Sequence, residues 1–250
     1  MHALCWEIKR SILKQVIKME TKTGFLLIAD ISGFTDFIKI HDMRSKPLIG
    51  KSIAAFWQGH AEQLIKDLLE TIIAVFEPVM VLNKIEGDAA FFYLEEDKGE
   101  EQAEQIVDCM RSAQEKFKEK LSSLEYVQAC PCDPCQQSKD LRLKIVVHRG
   151  EFKISLIREF TELAGQDVIF VHRLLKNSIR SDEYWLFTES FKDLLKSDFV
   201  NDLKLHKEKV ESFGLQKLGV LAFNSEATSY RGSNILSKFS DSVKMLWYYK

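Results

Sequence analysis

Two aspartates occupy positions from which a chain can build a metal site. Asp30 ends the apolar run 25–30 and precedes a Gly-containing turn and a helix-like segment that Phe34 and Thr35 open. Asp88 follows a glycine between two further apolar runs. Carboxylates that share a site repel each other unless a cation lies between them, while free N–H groups at a helix N-terminus attract an anion. The pair predicts a divalent metal, Mg²⁺ or Mn²⁺, beside a phosphate that Phe34 and Thr35 would bind.

Each of these polar residues also has an ordinary structural interpretation. Asp commonly caps a turn or a helix, which would account for Asp30 and Asp88 separately. Lys84, four residues before Asp88, is equally compatible with an exposed strand position, and Glu162, three residues before Gly165, with a solvated loop. The chemical interpretation therefore depends on whether the fold brings them together.

A second cluster consists of Cys130, Cys132 and Cys135, in the sequence ACPCDPCQ. Three thiols within six residues of a proline-stiffened loop would supply three of the four tetrahedral ligands of Zn²⁺. The fourth would come from elsewhere: Cys5, His206, water or a second subunit. Taken alone, this loop indicates a zinc-stabilised interaction module, and the alternative is a set of free surface thiols.

Hydrophobic patterning predicts the elements that must position these residues. We expect strands near 25–30, 78–84, 89–94, 141–148, 152–158 and 184–188, and helices near 53–75, 102–124 and 166–179. The order β-α-β-β-α-β through the first part of the chain predicts the split βαβ arrangement of ferredoxin-like sheets, an α/β (α+β) fold. This topology places the end of the first strand beside the central hairpin, which would bring Asp30 and Asp88 together.

Composition fits one globular domain. The chain has 250 residues, 46% of them hydrophobic and 29% charged, which is enough to bury a substantial core. A net charge of −2 gives no general attraction to nucleic acid, and no apolar run approaches the roughly 20 residues needed to cross a bilayer. Without a secretory signal, and with an odd number of cysteines, we expect a cytoplasmic protein.

The predicted domain covers residues 24–225, with an N-terminal extension at 1–23 and a C-terminal extension at 226–250. Residues 3–19 have the periodicity of a basic amphipathic helix. Such a helix lies on a membrane surface, packs against the domain or packs against a partner. Alternatively, Met19 is the true start of the protein.

Three segments in this order, 24–37, 81–94 and 143–175, resemble the core of the class III nucleotide cyclases, which close ATP or GTP into a 3′,5′-cyclic monophosphate. The resemblance covers roughly residues 24–190. It implies a cyclase fold in which Asp30 and Asp88 hold two metals and Lys84 with Glu162 recognises the purine, favouring ATP over GTP. It also implies that Arg173 stabilises charge on the reacting phosphate. In the family, one subunit of a homodimer presents the aspartates and the other presents the remaining residues.

The sequence departs from the cyclase pattern in its third segment. GQDVIFVHR matches at Gly165, Val168 and Arg173, but Ile169 stands where the family has a ribose-orienting asparagine. Loss of one preorganised polar contact in a transition state typically costs about 10²–10³ in rate. The family's glycine-rich segment with a triphosphate-binding lysine is also missing, and Lys217 is a possible substitute. The motif VHRG at 147–150 resembles a strand-end turn of the cyclases.

Two functions follow from these observations. The first is a weak adenylate cyclase that converts ATP to cyclic AMP and pyrophosphate at a dimer interface with two divalent metals. The second is a catalytically degenerate homologue that binds nucleotide or a protein partner without turnover. Ile169 favours the second function, whereas Asp30, Asp88, Lys84 and Arg173 favour the first.

Overall fold

An eight-stranded sheet forms the centre of the computed structural model, which describes residues 20–34, 51–123 and 138–223. The strand order is β2-β3-β1-β4-β6-β8-β7, with β5 paired to the far end of β4. Neighbouring strands are antiparallel except for β4 and β6. The strands are β1 (Thr21–Ser32), β2 (Val81–Glu86), β3 (Ala89–Glu95), β4 (Arg142–Ile157), β5 (Phe160–Ala164), β6 (Tyr184–Thr188), β7 (Lys204–Val210) and β8 (Gly214–Ala222).

The described helices differ greatly in length. Two are long, α1 (Lys51–Phe76) and α2 (Glu100–Ser123), and three are short, α3 (Gln166–Leu174), α4 (Glu189–Lys192) and α5 (Ser197–Asn201); a single 3₁₀ turn covers Ser138–Asp140. The buried positions of α2 recur at spacings of three and four residues: Ala103, Ile106, Val107, Met110, Ala113, Gln114 and Phe117. This spacing gives the helix one apolar stripe, which packs on the sheet.

The sheet is covered on both faces, and β1 contributes to both. Phe25 and Leu27 belong to the larger core, under α1 and α2, while Leu26 and Ile28 belong to the core under α3. A strand buried on both faces requires a continuous apolar run rather than an alternating one, which explains the sequence of β1.

The predicted fold class is confirmed. The succession β1-α1-β2-β3-α2-β4 is the predicted βαββαβ order, and the sheet order β2-β3-β1-β4 is the ferredoxin-like arrangement. The predicted strands at 89–94 and 184–188 and the helices at 53–75 and 102–124 agree with the observed elements to within two residues, and the predicted strand 25–30 lies inside the longer β1.

Several predicted boundaries are wrong. Strand β2 begins at Val81, because residues 77–80 form the turn that ends α1. The predicted strands 141–148 and 152–158 are one continuous strand, so VHRG is not a turn; Gly150 lies within β4, opposite Gly24 of β1. Helix α3 stops at Leu174 instead of 179.

Three strands were not predicted. β5 is only five residues long, and β7 and β8 form a hairpin at the edge of the sheet. The sequence of β7, KLHKEKV, is mostly charged because an edge strand exposes much of its surface. Among the described helices, none is long and apolar enough to cross a membrane.

Candidate functional site

The fold brings Asp30 and Asp88 together where β1 ends beside the β2–β3 turn. Asp30 lies near the end of β1 and pairs in register with Ala89, the first residue of β3. Asp88 lies in the β2–β3 turn, where Gly87 adopts a positive φ of 66° that suits glycine. The backbone N–H of Ile31 donates a hydrogen bond of 3.1 Å to the carbonyl of Asp88, which fixes the turn against β1.

The electrostatics of this carboxylate pair favour a cation. Burial, together with the neighbouring charge of Asp88, raises the pKa of Asp30 to about 6, against the opposing effect of Lys144. Burial also raises the pKa of Asp88, although its own backbone hydrogen bond and Lys144 lower it. The shift of Asp30 therefore includes repulsion from Asp88, whereas the shift of Asp88 comes from burial alone.

The donor set suits Mg²⁺ or Mn²⁺. These ions prefer oxygen ligands, and Mg²⁺ is usually held by one or two carboxylates together with substrate phosphates and water. Within the described part of the chain, no cluster of three or more Asp, Glu, His or Cys side chains could hold a metal. The two aspartates would therefore supply the protein ligands, and a bound phosphate or water the rest.

Lys144 is a site residue that the sequence analysis missed. It lies on β4 and pairs in register with Asp30 on one side and Tyr184 of β6 on the other. Its Nζ atom lies 5.7 Å from the centroid of the Tyr184 ring. A lysine within the otherwise apolar segment LKIVV was the available signal, because alternation puts it on the same face as Val146 rather than on the face of the larger core.

A groove of about 570 Å³ lies between α3, β2 and the β7–β8 turn. Four of its lining residues, Ile169, His172, Arg173 and Lys176, follow the spacing i, i+3, i+4, i+7. This spacing places them on one side of α3 and the bend after it. The other lining residues are Lys84, Glu86, Val168, Lys209, Val210 and Glu211, so neither Asp30 nor Asp88 borders the groove.

Lys84 lies in this groove and forms an ion pair with Glu86. Its Nζ atom lies 2.8 Å from Glu86 Oε1 and 6.0 Å from the centroid of the Phe91 ring. The other oxygen of Glu86 lies 3.4 Å from His172 Nε2. Because His172 Nδ1 is 2.7 Å from the carbonyl of Val168, the imidazole is oriented towards Glu86. Glu86 is therefore a second groove residue that the sequence analysis missed.

Glu162 lies on β5, next to the strand that carries Lys84. It pairs in register with Ser155, whose hydroxyl donates to the Glu162 carbonyl. Asn83, at an irregularity in β2, donates a hydrogen bond of 2.8 Å to the carbonyl of Thr161 and so holds the two strands together. The structure thus brings the neighbourhoods of Lys84 and Glu162 together, while the ion pair of Lys84 is made with Glu86.

Ile169 points into the groove, with 52% of its surface exposed. This is the position at which the cyclase pattern has a polar residue. Arg173, one turn further on, donates from Nη1 to the backbone carbonyl of Glu211, and its guanidinium lies 5.9 Å from the centroid of the Phe213 ring. In this structure its charge is therefore directed at the β7–β8 turn.

Two other predicted residues, Phe34 and Lys217, lie outside the groove at α3. Phe34 borders a separate groove of about 400 Å³ that α1 forms with Ile85 and Gly87, close to the turn that carries Asp88. Lys217 lies in the middle of the β7–β8 hairpin, opposite Lys207, and does not border the groove at α3. Thr35 and the cysteines Cys130, Cys132 and Cys135 lie outside the described residues, so the zinc hypothesis stays a prediction.

The fold is that of the class III nucleotide cyclases. The structure is similar to the adenylyl cyclase CyaB from P. aeruginosa, with a TM-score of 0.55 and 13% identity, over 84% of this chain and 98% of the other. It is also similar to the guanylyl cyclase Cya2, with a TM-score of 0.53 and 11% identity, over 86% and 99% of the two chains. At such identities the likeness shows the fold alone.

A third similar structure is a class III adenylyl cyclase-like ATP-binding protein from Pseudomonas aeruginosa. Its TM-score is 0.55 at 14% identity, and the match covers 73% of this chain and 36% of that one. The same architecture therefore occurs in proteins described as adenylyl cyclases, as guanylyl cyclases and as ATP-binding.

Sequence comparison finds similarity over about half of the chain. The profile of a family described as "Protein of unknown function (DUF2652)" matches residues 65–184. An uncharacterized protein of Mycobacterium tuberculosis, Rv2561/Rv2562, is 35% identical over 122 residues, which are 49% of this chain. The match spans 56% of the length of that relative. The family match includes Lys84, Asp88, Lys144 and Arg173, whereas Asp30 lies outside it.

Proposed function

We propose that this protein binds ATP with a divalent metal between two copies of the chain and converts it slowly to cyclic AMP and pyrophosphate. The observation that carries the proposal is the separation of two half-sites on a class III cyclase fold. The carboxylates Asp30 and Asp88 form one half, and the groove with Lys84 and Arg173 forms the other. A second copy would bring the groove of one chain to the carboxylates of the other.

The groove residues account for the choice of adenine. An ammonium group donates hydrogen bonds and accepts none, so Lys84 suits adenine N1 and leaves the N1–H of guanine without an acceptor. A carboxylate beside it would accept from the adenine amino group: Glu86 already pairs with Lys84, and Glu162 follows Thr161, whose carbonyl accepts a hydrogen bond from the neighbouring Asn83. Lys84 lies over the ring of Phe91, its buried register partner on β3, which positions the ammonium group at the edge of the groove.

The carboxylate pair accounts for the metal. A divalent cation held by Asp30 and Asp88 would lower the pKa of the ribose 3′-hydroxyl and neutralise charge on the phosphates. The raised pKa of Asp30 means that the pair gains most when a cation is present, because the charged form is then no longer penalised. Arg173 would have to leave Glu211 in order to contact the reacting phosphate.

A second function, nucleotide binding without turnover, is favoured by Ile169. Its exposed apolar side chain occupies the groove position from which a polar residue would orient the ribose. A transition state that lacks such a contact is stabilised less, so binding can persist while the rate falls.

The test is to incubate the purified protein with ATP and Mn²⁺ and to measure cyclic AMP by mass spectrometry. We expect slow formation of cyclic AMP that Asp88→Ala abolishes. Formation of no product, together with ATP binding in calorimetry that requires Mn²⁺, would favour the second function. Absence of both would reject the nucleotide site altogether.

The same calorimetry tests the choice of base. ATP should bind more tightly than GTP, and Lys84→Glu should remove or reverse the preference because a carboxylate accepts where the ammonium donates. Equal affinities for ATP and GTP in the unmodified protein would contradict the assignment of Lys84.

A further inference from the structure

Lys144 lies in a row of residues that crosses three neighbouring strands of the sheet. Asp30 of β1, Lys144 of β4 and Tyr184 of β6 are consecutive register partners. Directly opposed residues on neighbouring strands share a face, with Cβ atoms roughly 4.5–5.5 Å apart. The ammonium group is therefore carried on the same face as the Asp30 carboxylate, and Asp88 approaches that face from the β2–β3 turn.

The surroundings of Lys144 leave its charge available to both carboxylates. Lys144 lowers the pKa of Asp30 and of Asp88, so its field reaches each of them. No ion pair between described residues joins it to either carboxylate within 4.0 Å, and its Nζ atom lies over the Tyr184 ring instead. The Tyr184 hydroxyl accepts a hydrogen bond of 2.7 Å from Asn177 Nδ2, which holds that ring in place.

We propose that Lys144 is the resident counter-cation of the Asp30–Asp88 pair, and that this chain therefore takes one divalent cation per bound nucleotide rather than two. This inference rests on the proposed function for its metal and nucleotide. The positive charge that the second metal would otherwise bring beside the phosphates is already attached to the sheet at Lys144.

The charge balance explains the proposed stoichiometry. Two ionised carboxylates and one ammonium group have a net charge of −1, and one divalent cation changes this to +1, which a nucleotide phosphate neutralises. A second divalent cation would meet the ammonium group as a like charge at close range and in a partly buried site, where such repulsion is poorly screened. Lys144 should also weaken the binding of metal when no nucleotide is present.

The first experiment counts bound Mn²⁺ by electron paramagnetic resonance of the free ion. With a non-hydrolysable ATP analogue, we expect about one Mn²⁺ per bound analogue in the unmodified protein and about two in Lys144→Met. Without nucleotide, Lys144→Met should bind Mn²⁺ roughly tenfold more tightly, because the competing charge is gone. Lys153→Met, on an exposed position of the same strand, is the matched control and should change neither quantity.

Two Mn²⁺ ions per analogue in the unmodified protein, or equal Mn²⁺ affinity in Lys144→Met, would overturn the inference. Failure of the unmodified protein to bind the analogue would instead reject the proposed function.

A metal-free experiment tests the counter-cation directly and does not depend on nucleotide. In the presence of a chelator, Lys144→Met should lower the melting temperature of the unmodified protein. In a variant that also carries Asp30→Asn and Asp88→Asn, Lys144→Met should lower the melting temperature much less, because that variant has no negative charge for Lys144 to balance. An equal loss in both backgrounds would show that Lys144 acts through packing on Tyr184, and the proposal would then be wrong.

Discussion

At the residue scale, the most informative group is Asp30, because its carboxyl group is held in a site that favours the neutral form. Burial raises its pKa to about 6, and repulsion from Asp88 adds to this. A folded pKa above the unfolded value of about 3.9 means that the folded state binds more protons than the unfolded state between those two values. Asp30 therefore contributes stability below about pH 4 that is lost as the pH rises towards 6.

Replacing Asp30 by Asn should remove this pH dependence. In metal-free buffer, Asp30→Asn should be more stable than the unmodified protein at pH 8, by an amount on the order of 3 kcal/mol at most. The two proteins should have similar stability near pH 4. Urea unfolding at both pH values measures the difference, and a variant that is less stable at pH 8 would show that the carboxylate is already well balanced.

Ile169 gives a second test at this scale. Ile169→Asn should raise cyclic AMP formation, by up to about 10²-fold, because a polar side chain would then face the ribose from the groove. Rates of cyclic AMP formation in single-turnover assays would measure the effect. Leu205→Asn, which also replaces an exposed apolar residue, is the matched control and should leave the rate unchanged. If the unmodified protein were already fast, another group would have taken over the role of the asparagine.

At the scale of elements, Asp167 holds α3 against β4 through a contact that leaves no room for a side chain at Gly150. Asp167, in the first turn of α3, accepts a hydrogen bond of 2.6 Å from the backbone N–H of Glu151 and lies 3.5 Å from His148 Nε2. His148 is buried and contacts Thr188 through its other ring nitrogen. A Cβ atom at Gly150 would overlap both the Asp167 carboxylate and the His148 imidazole.

Gly150→Ala should therefore destabilise the protein by roughly 1–3 kcal/mol, since overpacking displaces the side chains that hold α3. Urea unfolding measures this loss. Asp167→Ala should cost stability as well, but the double variant should lose less than the sum of the two, because removal of the carboxylate makes room for the new methyl group. Strict additivity would mean that α3 is not held through this contact.

The elements also show what the sequence could predict and what it could not. The long apolar run of β1 and the periodic apolar positions of α2 can be recognised directly in the sequence. The order of these and the other predicted strands and helices was enough to predict the ferredoxin-like core. The charged strand β7 has no such pattern, because its stability comes from pairing with β8 at the sheet edge. Gly150 suggested a turn, although it reflects a close approach of side chains within a strand.

The candidate site, like the fold, was predicted only in part from the sequence. Asp30 and Asp88 were identified because they adjoin recognisable strand ends and turns, and Lys84 because its segment resembles a cyclase motif. Lys144 was missed because its importance arises from register with Asp30 and Tyr184, on strands that are far away in the sequence. Glu86 was missed because its contact with His172 of α3 depends on how the helix packs beside β2. The partner of Lys84 could not be chosen from the sequence, because Glu86 lies two residues away on the same strand and Glu162 lies on β5.

At the scale of the whole molecule, the central claim is that each nucleotide site combines two chains. The groove at α3 and the carboxylate pair lie in different places on one chain, as a composite site requires. A closed twofold dimer would form two equivalent sites, each with the carboxylates of one chain and the groove of the other. Variants that damage different halves should therefore complement each other.

The most direct measurement is the binding of Mn²⁺ and an ATP analogue to mixtures of two variants. One variant carries Asp30→Ala and Asp88→Ala, and the other carries Lys84→Glu and Arg173→Ala. Each alone should bind no analogue in calorimetry, whereas an equimolar mixture, after subunit exchange, should recover about a quarter of the sites of the unmodified protein, because half of the dimers are mixed and each has one intact site. A mixture that binds no analogue, while the unmodified protein binds it, would contradict the composite site.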